Sequence, residues 1–169
     1  MRGAVPEPLP LRLARGAIGG LVAGLIFMGA TMWFSSSVGN PSDGPLMMIS
    51  TILKGDGAMS AGTASAELGW IVHSVLSVGF GIAFSLLAPL FRTNGTIAIA
   101  GAAFGALLYL LNFQVISPIA LPIFSMANQP FEAAIHVVFG LLLSLVFFGS
   151  GVRRGDPIVA FGRDLATSS

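Results

Sequence analysis

Two histidines are the residues of this chain best suited to chemistry. His73 and His136 each lie in a long apolar run, where an ionisable side chain is costly and marks a functional site by default. An imidazole there can ligate a metal or haem iron, carry a proton, or hydrogen-bond a neighbouring helix. Small residues follow each histidine at four-residue steps: Ser77, Gly81 and Ser85 after the first, Gly140 and Ser144 after the second. The pattern predicts a paired polar site in a membrane protein and leaves its ligand open.

Composition supports a membrane protein and argues against other classes. Of 169 residues, 54% are hydrophobic and 9% are charged, whereas soluble domains carry roughly 25% charged residues. The absence of cysteine excludes disulfides, thiolate metal sites and cysteine nucleophiles. A net charge of +1 gives no reason to expect nucleic-acid binding. A P-loop, a Gly-x-Ser-x-Gly, an HExxH and a dinucleotide fingerprint are all missing, so no enzymatic activity is predicted.

Four apolar stretches are long enough to cross a bilayer, which takes about 20 residues. They occupy residues 15–34, 68–91, 96–116 and 131–149. Because a spanning backbone must satisfy its own hydrogen bonds, we expect an all-α, polytopic transmembrane four-helix bundle over residues 15–149. The flanks are predicted to be a cytoplasmic N-terminal segment, 1–14, and a cytoplasmic tail, 150–169. The outer loop, 35–67, is predicted to carry a short interfacial helix from Pro45 to Lys54.

The basic residues orient these spans. Lys54 alone is predicted on the outer side, and seven arginines fall on the other: Arg2, Arg12, Arg15, Arg92, Arg153, Arg154 and Arg163. The positive-inside rule makes that side cytoplasmic, so both termini are expected inside. Trp33 and Trp70 then lie at the outer interface, where aromatic side chains are enriched.

The first and third spans align with each other, as do the second and fourth. Gly20-x-x-x-Gly24 matches Gly101-x-x-x-Gly105, and His73 matches His136. This pattern predicts a tandem duplication of a helical hairpin, with the two copies related by an axis along the membrane normal. Small residues let helices approach closely and also permit homo-oligomers or association within a larger membrane complex. The glycines predicted to pack helices are Gly20, Gly24, Gly81, Gly101, Gly105 and Gly140.

The alignment places both histidines at matched depth in the outer half of the bundle. Glu132 lies one helical turn before His136, so the two form a candidate charged pair. Further residues are expected to line a pocket around them: Met28, Met32, Ser77, Tyr109 and Asn112. The histidines fit an interhelical hydrogen bond, a haem b or copper site, or a proton relay with Glu132.

These motifs resemble small four-helix bacterial inner-membrane proteins of unknown function, the YagU-like group. The resemblance is carried by Gly20-x-x-x-Gly24, His73, Gly101-x-x-x-Gly105, Ile116-Ser-Pro118 and His136-Val-Val-Phe-Gly140. It implies a four-helix fold in the bacterial cytoplasmic (inner) membrane and indicates no activity.

We therefore expect a non-enzymatic inner-membrane protein in contact with the lipid bilayer. Its paired-histidine site near the outer face is structural or ligand-binding, within a homo-oligomer or a larger complex. Two alternatives stay open. One is a haem- or copper-binding subunit for electron transfer or anchoring, with His73 and His136 as ligands. The other is a small proton-coupled transporter or channel.

Overall fold

The structure, a computed structural model, describes residues 7–153, and all regular secondary structure in this range is helical, with no β-strand. Its α-helices are α1 (Leu9–Ser37), α2 (Gly44–Lys54), α3 (Ala66–Leu87), α4 (Asn94–Tyr109), α5 (Ser117–Ala120) and α6 (Gln129–Leu145). A π-helical segment, Leu110–Ile116, joins α4 to α5. Short 3-10 turns occupy Asp56–Ala58, Ala88–Leu90, Pro122–Met126 and Gly151–Arg153. The predicted all-α class is confirmed.

Membrane character follows from length and composition. Three helical stretches are long and apolar enough to cross a membrane: Leu9–Ser37, Ala66–Leu90 and Asn94–Ala120. The fourth apolar helix, α6, has 17 residues and ends at Leu145, before the predicted end of its span at residue 149. Residues 1–6 of the predicted N-terminal segment and residues 154–169 of the predicted tail lie outside the described part of the chain.

Side-chain caps fix where the later helices begin. The Ser65 hydroxyl accepts a hydrogen bond from the Leu68 amide at 3.2 Å, and Asn128 accepts one from the Phe131 amide at 3.0 Å. Thr93 and Thr96 form a reciprocal capping box at the start of α4. These side chains satisfy amide groups that the first helical turn leaves without a partner.

Close glycine contacts hold the helices in two pairs. Helix α1 packs on α3, α4 packs on α6, and α1 also packs on α6. A Cβ on Gly20 would overlap the carbonyl oxygen of Ser77, and a Cβ on Gly101 would overlap that of Gly140. The two contacts are equivalent when the first and second halves of the chain are aligned. Gly20 then matches Gly101, and Ser77 matches Gly140, because each of these last two lies four residues after a histidine.

Large apolar side chains are divided between the core and the outer surface. Phe84, Ile97, Leu143 and Phe147 are fully buried in one cluster. Exposed positions on the long helices are also apolar: Ile18, Ile71, Val75, Ile99 and Leu107. Such a surface is suited to contact with lipid rather than water.

Basic side chains satisfy carbonyl groups at the C-terminal end of α6. Arg15 donates to the Val146 carbonyl at 3.1 Å. Buried Arg153 donates to the carbonyls of Phe147 at 3.0 Å and Ala88 at 2.9 Å, so it ties the end of α6 to the end of α3. Cationic groups at this position compensate the orphan carbonyls of a helix terminus and its dipole.

Candidate functional site

A cavity of about 840 Å³ lies at one end of the packed helices. Its wall comes from the second half of α1, the first halves of α3 and α6, the π-helical segment, and α2. The glycine contacts between Gly16 and Gly81 and between Gly101 and Gly140 close the opposite part of the helix pairs. Most of the wall is apolar, and both histidines reach it together with Glu132.

His73 bridges two helices. Its Nε2 lies 2.8 Å from the carbonyl oxygen of Gly24 on α1, so Nε2 carries the proton and donates. The Ser77 hydroxyl lies 3.4 Å from the same nitrogen. A Cβ on Gly24 would overlap the Ser77 side chain, so glycine is needed for this approach of α1 to α3. The other ring nitrogen of His73, Nδ1, keeps its lone pair.

His136 uses its ring nitrogens in the opposite way. Its Nδ1 donates to the Glu132 carbonyl oxygen one turn earlier in α6, at 2.7 Å. The free lone pair is therefore on Nε2. The backbone of this residue, rather than its ring, contacts α4, because a Cβ on Gly105 would overlap the His136 carbonyl oxygen. The two histidines thus occupy matching positions in the two helix pairs and make different bonds.

Aromatic rings surround both imidazoles. The Phe27 ring centroid lies 5.5 Å from that of His73 and 4.9 Å from that of His136, so this ring contacts both. Phe113 and Tyr109 lie 5.5 and 6.0 Å from His136, each edge-to-face or nearly so. A haem held between the two imidazoles would have to displace the Phe27 ring.

Glu132 is the acidic group of the site. Its residue is 8% exposed, its side chain lies on the cavity wall, and no hydrogen bond to its carboxyl is formed by the described residues. Carboxylate Oε2 is 3.8 Å from Nδ1 of His136, which already donates to the backbone carbonyl of Glu132. The expected pair therefore lies close together without a direct side-chain hydrogen bond.

The remaining pocket candidates divide into two groups. Met28, Ser77 and Asn112 lie on the cavity wall. Met32 is half-buried on α1 and is not among the wall residues. Tyr109 also lies off the wall: its hydroxyl donates to Gln129 at 3.3 Å and accepts from Gln114 at 2.8 Å.

Several wall residues were missed by the sequence reasoning. Six phenylalanines contribute to the wall: Phe27, Phe34, Phe80, Phe113, Phe124 and Phe139. Four methionines that were not among the predicted lining residues do so as well: Met47, Met48, Met59 and Met126. Phe27 could have been found, because it lies three residues after Gly24 and hence near the same face of α1. Nothing in the sequence indicates the π-helical segment that places Phe113 beside His136.

The donor set limits metal chemistry. Within residues 7–153, no group of three or more His, Asp or Glu side chains is arranged to hold a metal ion. A metal bound by His73 and His136 would use Nδ1 of the first and Nε2 of the second, since the other nitrogens donate to carbonyls.

Comparison of the chain with protein-family models, curated proteins and solved structures gives no match.

Proposed function

We propose that this protein binds a small, largely apolar molecule in the cavity that His73, His136 and Glu132 line. The observation that carries the proposal is the cavity itself, about 840 Å³, with four ionisable side chains, His73, His136, Glu132 and Asp43, on a wall that is otherwise mostly apolar. Ligand sites in proteins commonly combine such a volume with an apolar lining and a few polar groups that orient the ligand. A purely structural histidine pair would require no space of this size beside it.

The fold around the cavity is proposed to be a transmembrane four-helix bundle built from two copies of a helical hairpin. Corresponding glycine–carbonyl contacts at Gly20 and Gly101 support the duplication. The fourth span would consist of α6 with the turn after it. We also propose the bacterial inner membrane as its location, with both termini cytoplasmic, on the distribution of arginines and the motifs shared with the YagU-like group. The cavity then opens near the outer face.

Single-cysteine variants test the topology, since the chain contains no cysteine of its own. Asn40→Cys in the first loop should react with an impermeant maleimide in intact cells. Arg92→Cys, in the loop between α3 and α4, should react only after permeabilisation. The reverse labelling pattern would overturn the orientation.

Ligand binding is tested with 1-aminoanthracene, an uncharged probe that fluoresces in apolar cavities. Thr31→Trp/Asn112→Trp introduces two large side chains into the cavity wall. Ile26→Trp/Val115→Trp adds the same bulk at exposed positions of α1 and the π-helical segment, outside the wall. This control also corrects for probe dissolved in detergent.

We expect saturable fluorescence for the native protein and the control, and loss of most of it in the cavity variant. Equal fluorescence from the two double variants would overturn the proposed function. Size-exclusion profiles of both variants establish that the comparison is made on folded protein.

A further inference from the structure

The buried polar atoms around the histidine pair are hydrogen-bond acceptors. The only N–H of neutral His73 donates to Gly24, and that of neutral His136 donates to the Glu132 carbonyl. Each neutral ring on the cavity wall therefore keeps one lone pair, on Nδ1 of His73 and on Nε2 of His136. The Glu132 carboxylate adds two more acceptor oxygens, with no hydrogen-bond donor to them among the described residues.

The charges of the wall have one sign. Glu132 lies deep in the wall and half-buried Asp43 lies at the start of α2, while no lysine or arginine of the described chain lines the cavity. A carboxylate in such apolar surroundings is costly unless a cation or hydrogen-bond donors join it. Among the described residues, only the neutral ring of His136 lies beside this carboxyl group, at 3.8 Å, so a cationic ligand would supply the missing partner.

The rest of the wall suits a lipophilic cation. Six phenylalanines and five methionines line it. Aromatic faces attract an ammonium group within about 6 Å, and flexible methionines adapt to apolar bodies of different shape. Phe27 and Phe113 already lie within this distance of the His136 ring.

We propose that the site takes a lipophilic amine in its protonated, ammonium form. Its N–H groups donate to the Glu132 carboxylate and to the free nitrogens of His73 and His136. Its apolar body lies among the phenylalanines and methionines. This inference rests on the proposed function, because it names the class of ligand for the same cavity.

Displacement of bound 1-aminoanthracene tests the inference. Two displacers of matched shape are compared, 4,4-diphenylbutylammonium and the neutral 4,4-diphenylbutan-1-ol. The native protein should bind the ammonium compound more tightly than the alcohol. In Glu132→Gln the ratio of the two affinities should fall by about 10–100-fold, the usual range for a charge-assisted hydrogen bond. Glu67→Gln, an exposed acidic control at the start of α3 and off the cavity wall, should retain it to within about threefold, as expected for a solvated charge. Comparing this ratio between the native protein and each variant cancels the different solubility of the two displacers in detergent, and on the native protein alone each displacer is corrected for its measured partition into detergent.

The outcomes separate the two proposals. If the probe binds in the cavity and both displacers act equally on the native protein, the ammonium inference fails and the proposed function stands. Loss of the preference in Glu67→Gln with retention in Glu132→Gln would also overturn it. If probe fluorescence is insensitive to the cavity-filling substitutions, the proposed function fails first. If Glu132→Gln does not fold, the comparison of the two displacers on the native protein still tests whether the site prefers the ammonium compound.

Discussion

Adding one methyl group at Gly140 should separate α4 from α6. A Cβ there would overlap the Gly101 carbonyl oxygen and lie 2.8 Å from the Gly101 carbonyl carbon and the Gly105 amide nitrogen. All three are backbone atoms, so no rotamer change can relieve the clash. Overpacking of this kind costs about 1–3 kcal/mol, and the gain from replacing a helical glycine with alanine returns about 0.5–1 kcal/mol. Gly140→Ala is therefore expected to destabilise the protein by about 1 kcal/mol, and by at most about 2.5 kcal/mol.

Gly79→Ala is the matched control for this substitution. Gly79 is also helical, yet a Cβ built on it meets no atom within 4 Å. Only the helix-propensity effect applies, so this variant should be neutral or stabilised by up to about 1 kcal/mol. The free energy of unfolding of both variants is measured by equilibrium unfolding in mixed micelles, followed by the fluorescence of Trp33 and Trp70. Equal unfolding midpoints for the two variants would refute the inference that glycine contacts set the helix spacing.

Two further predictions concern buried hydrogen bonds. Arg153→Gln should destabilise the protein by about 2–4 kcal/mol, because it removes a buried charged donor from its carbonyl partners at the ends of two helices. Arg92 is exposed, so the control Arg92→Gln should change stability by less than about 0.5 kcal/mol in the same unfolding assay. His73→Phe removes an interhelical hydrogen bond and should cost about 0.6–1.7 kcal/mol, whereas His136→Phe removes a bond within one helix and should cost less. A larger cost for His136→Phe would contradict the assigned partners.

The helical and membrane character could be predicted because both depend on properties that are local in sequence. An apolar run of about 20 residues has few alternatives to a helix in a bilayer. The end of α6 was harder to predict from the sequence. Its apolar run continues to residue 149, but the helix ends at Leu145, and Arg15 and Arg153 bind carbonyls of the turn that follows. These partners are distant in sequence, so periodicity contains no information about them.

The site was predictable only in part as a set of residues, since His73, His136 and Glu132 do line one cavity, and it was unpredictable as a set of bonds. The sequence could place His73 and His136 at one level, but which nitrogen each offers depends on the carbonyl opposite it. Phe27 is a more instructive case. Its ring contacts both imidazoles, and that position depends on how α1 crosses α3 and α6 together. Helix-crossing geometry is a tertiary property that a single sequence does not specify.

The different bonding of the two histidines bears on how the proposed duplicated hairpin could form the proposed binding site. If both rings bridged helices as His73 does, both would form hydrogen bonds that hold two helices together. Instead, the contact between α4 and α6 near His136 is made by its backbone against Gly105, which leaves the ring to a partner within its own helix. His73 therefore contributes to helix packing through its ring, whereas the ring of His136 does not. In the proposed site, ligand affinity should depend on both histidines, while stability should depend more on His73. Measuring both quantities for His73→Phe and His136→Phe tests this expectation, and a loss of affinity confined to one variant would refute it.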